Sequence, residues 1–224
     1  MKLYPFLAIL LLLALLAPGC SREEPLGPDG RPVPKALKPI PPVKSTTNAL
    51  EALQEARAEL ARLAAWARVA EEEARPGEAA LFRAAVRSSE IQIRNFGNVV
   101  VKLHGSLPAA PTPPEIPPSS TRDNLVAARD KANLNQRTLY MGFLVSARKE
   151  RCQEAVQAFD QAKQASAGLV TLYQKALVRF DAGGTSVEER DYVVCMVCGA
   201  VSEEAPRGGC PVCRGDATQF ELIH

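Results

Sequence analysis

Histidine is almost missing from this 224-residue chain, which has two, His104 and His224. That excludes a site built on several imidazoles. It also leaves Cys152 without a predictable base, so a cysteine–histidine nucleophile is not expected there. Neither sign of charge dominates, with 27 Lys and Arg against 25 Asp and Glu. The basic footprint of a nucleic-acid binder and a long acidic tail are therefore both lacking. No repeat of fixed period is present, which argues against an α-solenoid. The single tryptophan, Trp66, reads as helix packing.

Lys2 precedes an apolar run from Phe6 to Ala17 that is short for a membrane span and has the pattern of an export signal, residues 1–19. The run stops at Ala17-Pro18-Gly19-Cys20, which resembles the lipobox of bacterial lipoproteins, with Ala17 at the place usually held by leucine. The resemblance implies acylation of Cys20. It would place the protein at the cell envelope, on the periplasm-facing outer membrane or the cell surface; a plain secretory signal is the alternative. Residues 20–45 are proline-rich without a hydrophobic period and read as a semi-rigid tether.

The folded part begins with helical spacing at Leu50, Leu53, Ala56, Leu60, Leu63, Ala67 and Ala70. Arg75-Pro76-Gly77 breaks this helix, and a second runs from about Glu78 to Leu103. Its inward stripe, Phe82, Ala85, Val86, Ser89, Ile93 and Phe96, contains a hydroxyl, and the Gln92 amide sits in it too. Residues 106–119 are a proline-rich linker that suits a crossover along a bundle. A third helix, capped near Ser120, carries Leu125, Ala128, Ala132, Asn135, Leu139 and Phe143 on one stripe. A fourth carries Val156, Phe159, Ala162, Ser166, Leu169, Tyr173 and Leu177 and ends at Gly183-Gly184. Residues 46–182 are thus expected to form a four-helix bundle with one long crossover.

After Gly184 the texture changes, and Cys195, Cys198, Cys210 and Cys213 are arranged as CxxC, eleven residues, CxxC. Each pair can form a knuckle that turns two sulfurs toward one ion, and two knuckles make a tetrahedral thiolate cage. Gly199 suits the tight backbone after the first knuckle, and Pro211 stiffens the second. Two disulfides are the competing reading in an oxidising compartment. Redox CxxC pairs, however, come with a thioredoxin-like pattern of strands and helices that residues 190–224 lack. Iron and zinc both fit a tetrathiolate cage.

Tyr192, CMVCG, CPVC and Phe220-Glu221-Leu222 resemble the rubredoxin-like module that closes rubrerythrins, with Arg214 standing where that family usually has glycine. NALEALQEA, RPGEAALFRAA, STRDNLVAA and the Phe159 to Leu177 segment resemble the helices of the same family, so the likeness spans Thr46 to Leu222. It implies a mainly α, ferritin-like bundle followed by a small β-rich module holding one iron, with zinc as the alternative. It also implies a homodimer. Family bundles hold two irons on glutamates and two ExxH motifs and reduce hydrogen peroxide.

Here the seven corresponding positions read Ala56, Ser89, Gln92, Ala132, Asn135, Ser166 and Leu169, none of them such a ligand. Glu55 lies one place off, rotated by about 100° on a helix. Glu221 and His224 spell ExxH in an expected strand, whose alternation separates them. The polar members of the seven are expected to satisfy one another or a buried water, with a new small-ligand pocket as the rival reading. The expectation is an envelope-anchored one-electron carrier without a diiron centre and without peroxidase activity. A scaffold with a structural zinc is the alternative.

Overall fold

The computed structural model describes residues 41–117, 119–183 and 190–224. The expected export signal, Cys20 and most of the expected tether lie outside the described residues, as does Gly184.

The first helix, α1 (Val43–Glu72), starts just after Pro42, three residues into the stretch read as tether. It can start there because its first amides find an acceptor from elsewhere in the chain. The Glu150 carboxylate accepts from the backbone N–H of Lys44 at 2.8 Å and of Ser45 at 2.7 Å, and from the Ser45 hydroxyl at 2.7 Å. A carboxylate at a helix N-terminus satisfies orphan donors and complements the helix dipole. Partial burial pushes the Glu150 carboxyl up, but the bonds from Ser45 and Lys44 outweigh it and hold the group below its ordinary value of 4.5. The charged form therefore stabilises the fold, fully above about pH 4.5 and progressively less as pH falls through the folded value. Glu150→Gln is expected to lower stability by about 1 kcal/mol at neutral pH, with the difference vanishing in acid. Thermal melting at pH 7 and pH 3.5 checks it.

Helix α2 (Pro76–His104) opens on a proline at its first position, where no amide bond is lost, and closes on Gly105 in the left-handed region at φ 90°. The third rod of the bundle is α3 (Thr121–Leu134), a π-helical turn at Asn135–Leu139, and α4 (Tyr140–Lys149). The Ser120 side chain caps it by accepting from the Asp123 N–H at 3.2 Å. The fourth rod is α5 (Gln153–Asp181).

Ion pairs and hydrogen bonds fix which ends meet. Lys102 of α2 pairs with Glu154 of α5. At the opposite end Arg122 of α3 pairs with Asp181 of α5 at 2.7 Å, and the Thr121 N–H donates to Glu73 at 3.1 Å. The linker after Gly105 therefore runs the length of the bundle, as expected. Arg57 of α1 holds it by donating to the carbonyls of Pro108 and Ala109.

The inward stripes follow those expected, although Leu50, Leu60, Val86, Ile93 and Val156 are only partly buried, and at one place the stripe itself is corrected. Leu139 is only partly buried and Tyr140 is fully buried in its place, followed by Phe143, Leu144 and Ala147. A π turn holds more residues per turn than an α turn, so the stripe after Asn135 is shifted by one residue.

The C-terminal module is a three-stranded antiparallel sheet in the order β2-β1-β3, formed by β1 (Tyr192–Cys195), β2 (Val201–Ser202) and β3 (Phe220–Ile223). It is no loose appendage. Tyr192, Val194 and Val201 belong to the same apolar cluster as Trp66, Phe82, Leu172 and Tyr173 of the bundle. A second cluster, around Phe96, Phe143 and Phe159, fills the other half of the bundle. Cys152 is buried in that second cluster as a small apolar side chain.

Candidate metal centre

Strand β1 ends on Cys195, and the chain turns so that the Gly199 N–H donates to the Cys195 carbonyl at 2.8 Å. The second knuckle repeats this turn, with the Arg214 N–H donating to the Cys210 carbonyl at 2.8 Å. Both turns need a left-handed residue after the last cysteine, Gly199 at φ 78° and Arg214 at φ 60°. Arg214 therefore makes the same turn and hydrogen bond as Gly199, at a cost in backbone strain that glycine does not bear. Arg214→Gly is expected to raise the stability of the metal-loaded chain by about 0.5–1 kcal/mol, read from its thermal melting. Gly209, at φ 87°, has no such latitude, since a Cβ there would lie 2.5 Å from the Gly215 carbonyl.

The four sulfurs lie within 4.8 Å of one another, and the cysteines are free. Cys195 and Cys213 approach to 3.6 Å, and Cys198 and Cys210 to 3.5 Å. A disulfide needs about 2.05 Å, whereas the edge of a tetrahedron with metal–sulfur bonds near 2.3 Å is about 3.8 Å. The spacing fits one tetrahedrally held ion. Among the described residues this is the one such group of three or more Cys, His, Asp or Glu. Glu221 and His224 part as expected, Glu221 pairing with Arg87 at 2.7 Å and His224 with Asp191 at 2.9 Å.

Backbone amides supply the cage's electrostatics. The Gly215 N–H reaches the Cys213 sulfur at 3.4 Å. Burial pushes the Cys198 thiol well up and Cys213 up to about 11. Burial also acts upward on Cys210, but amides of Cys213 and Val212 bring that thiol below its ordinary value. An ion entering the cage must displace protons, so its affinity falls as pH falls.

Helix α2 grips the first knuckle from outside. Arg94 donates to the Met196 carbonyl at 2.7 Å, Asn95 to the Val197 carbonyl at 2.8 Å and Ser88 to the Gly199 carbonyl at 2.6 Å. The peptide joining Gly199 and Ala200 thus accepts from Ser88 on one side and directs its N–H toward the Cys198 sulfur on the other. Sequence reading missed this grip, because a donor to a backbone carbonyl leaves no mark on residue spacing.

No protein-family model matches the chain, and no curated protein matches it by sequence. Solved structures do match. Nigerythrin in its partially reduced state aligns over 80% of this chain and 86% of that chain, with a TM-score of 0.70 and 22% identity. The fully reduced, all-ferrous state gives 0.69 and 23% over the same shares. A Desulfovibrio desulfuricans bacterioferritin with a diiron site covers 63% of this chain and 85% of its own, at 0.53 and 16%. The chain has the fold of nigerythrin, a rubrerythrin-family protein.

The rubrerythrin-type fold gives the seven positions read from the sequence a common location. All of them line one cavity of about 20 Å³ at the centre of the bundle, bordered by members of both apolar clusters. Ser89 turns its hydroxyl to the Ala85 carbonyl at 3.0 Å, and Gln92 bridges Ser88 and Tyr140 through two long bonds of 3.4 Å. Burial and the charges of Glu55 and Glu59 keep the Tyr140 phenol well above its ordinary range, so it remains a donor.

Two carboxylates also border this cavity, Glu55 and Glu59 of α1, and the sequence reading did not place them there. Arg62 pairs with Glu55 at 2.9 Å and Glu59 at 2.7 Å, and Lys131 pairs with Glu55 at 2.7 Å. Burial pushes Glu59 above its ordinary value, against the pull of Arg62. A helical wheel turns Glu55 away from the stripe, but a long side chain held by cations from two helices still reaches the cavity. The three-residue spacing from Glu59 to Arg62 was the available signal.

Proposed function

We propose that this protein is a rubrerythrin-like one-electron carrier whose redox centre is a single iron held by Cys195, Cys198, Cys210 and Cys213, with no diiron centre in its bundle. The observation that carries it is the cage of four free, mostly buried thiols at tetrahedral spacing in a module packed on a rubrerythrin-type bundle. Iron so bound would supply a one-electron couple without a change of ligands. The chain's own residues hold that cage rigid, direct amides at its sulfurs and keep water out, which lowers the reorganisation that each transfer needs.

The reading extends to export and to anchoring through a lipid on Cys20, and to pairing of two copies. Exposed Leu134, Met141 and Val145 on the third rod offer apolar surface for pairing. The alternative is a scaffold whose cage holds structural zinc, favoured by the core that module and bundle share.

Metal analysis with a visible spectrum on protein from the native source tests the choice. One iron per chain, red when oxidised and bleached by reductant, is expected. One zinc without a redox response would establish the scaffold instead, and three irons with peroxide turnover would overturn the reading of the bundle. In the same material Ser88→Ala, which strips the Gly199 carbonyl of its donor, is expected to weaken metal binding about tenfold to a hundredfold. Competition with a chromophoric chelator measures it.

A further inference from the structure

The centre of the bundle holds an unbalanced account of hydrogen bonds. Asn135 is 6% exposed, lines the cavity, and its Oδ1 has no hydrogen-bond partner. It also opens the π turn, a deviation from α geometry that often marks a site of use. Beside it, the bonds of Gln92 to Ser88 and to Tyr140 are both stretched to 3.4 Å, which leaves the Gln92 carboxamide with spare capacity.

Charge narrows what the cavity can take. Two carboxylates, Glu55 and Glu59, face two cations, Arg62 and Lys131, within 2.9 Å, so the cluster is neutral by itself. A divalent ion entering it would bring charge with no counter-charge left to meet it, and no imidazole is present to bind it. Size narrows the choice further, since about 20 Å³ admits one water molecule and nothing larger. A ligand that donates to Asn135 Oδ1, carries no charge and fits this volume is water.

We propose that the centre of the bundle is a neutral site for one water molecule bound to Asn135 Oδ1, with Arg62 and Lys131 giving Glu55 and Glu59 the counter-charge that metal ions would otherwise supply. This shares with the proposed function the premise of a bundle without a diiron centre, and it is independent of which metal fills the cysteine cage.

A high-resolution crystal structure of the full chain, with diffraction recorded at the iron edge, is the first test. One solvent peak within hydrogen-bond distance of Asn135 Oδ1, without anomalous signal, is the expected result. A dry cavity would overturn the water site alone. An anomalous peak there would overturn it together with the proposed absence of a diiron centre, while the cage is read separately from its own peak. The second test is Mn²⁺ titration of the full chain followed by electron paramagnetic resonance. Removing both counter-charges with R62Q and K131Q is expected to tighten Mn²⁺ binding at least tenfold over the parent. Equal binding by parent and variant, with unchanged circular dichroism, would overturn the counter-charge assignment. The single variant K131Q, which leaves Arg62 in place to hold the fold, is expected to show a smaller gain, and no gain in it counts against the assignment.

Discussion

Replacing Cys198 by serine is expected to lower the melting temperature of the whole chain by roughly 15 °C and to abolish metal binding. A thiolate cage that loses one buried ligand loses most of its affinity, and metal binding in small modules is coupled to their folding. In this chain the loss does not stop at the module. Tyr192, Val194 and Val201 pack in one cluster with Leu172 and Tyr173 of α5 and Phe82 of α2. Each such side chain stabilises by about 2 kcal/mol when buried, so losing three removes about 6 kcal/mol, and each kcal/mol moves the midpoint of a chain this size by about 2–4 °C. Circular dichroism follows the melting, and hydrogen exchange should show protection lost in β1 and along α2 around Ser88. A variant that melts with its parent would mean that the bundle stands without the module.

Gly199→Ala is the second large effect, an expected loss of about 3 kcal/mol. The residue sits at φ 78°, where any Cβ costs about 1–2 kcal/mol. A Cβ there would also lie 2.9 Å from the Ser88 carbonyl and 3.1 Å from its hydroxyl. The helix backbone cannot yield, so the knuckle must withdraw and the Ser88 bond to the Gly199 carbonyl breaks, worth about 1 kcal/mol. Gly208→Ala is the control, since nothing lies within 4 Å of a Cβ there, and it should change stability by less than about 0.5 kcal/mol. Chemical denaturation of the metal-loaded proteins compares the two. Equal effects would mean that the contact with Ser88 carries no strain.

Much of this was legible in the sequence. Period 3.6 located the helical stripes from Leu53 to Leu177, and the CxxC spacing located the cage, because both signals are local repeats of chemistry. Prolines from Pro108 to Pro118 marked the crossover. The rest depended on contacts between distant segments. Glu150 caps a helix more than a hundred residues earlier, which no window of sequence reveals. The π turn at Asn135 has no composition of its own, so Leu139 was expected where Tyr140 lies. Glu55 was read only as lying one place off the stripe and Glu59 was not singled out, although Arg62 and Lys131 hold the two carboxylates at the cavity. Arg214 marks a left-handed turn that its residue type does not announce, because arginine rarely adopts that conformation.

The clamp of Glu150 on the start of α1 also has a mechanical meaning. If the preceding segment is tied to a membrane, a pull arriving at Val43 meets three hydrogen bonds from the turn between α4 and α5 before it meets anything else. That turn lies at the end of the bundle where α2 finishes, and the cysteine knuckle is gripped by Ser88, Arg94 and Asn95 further back along α2. Tension would therefore pass into the helical rods and bypass the cage, so the metal centre would hold its geometry while its anchor is tugged.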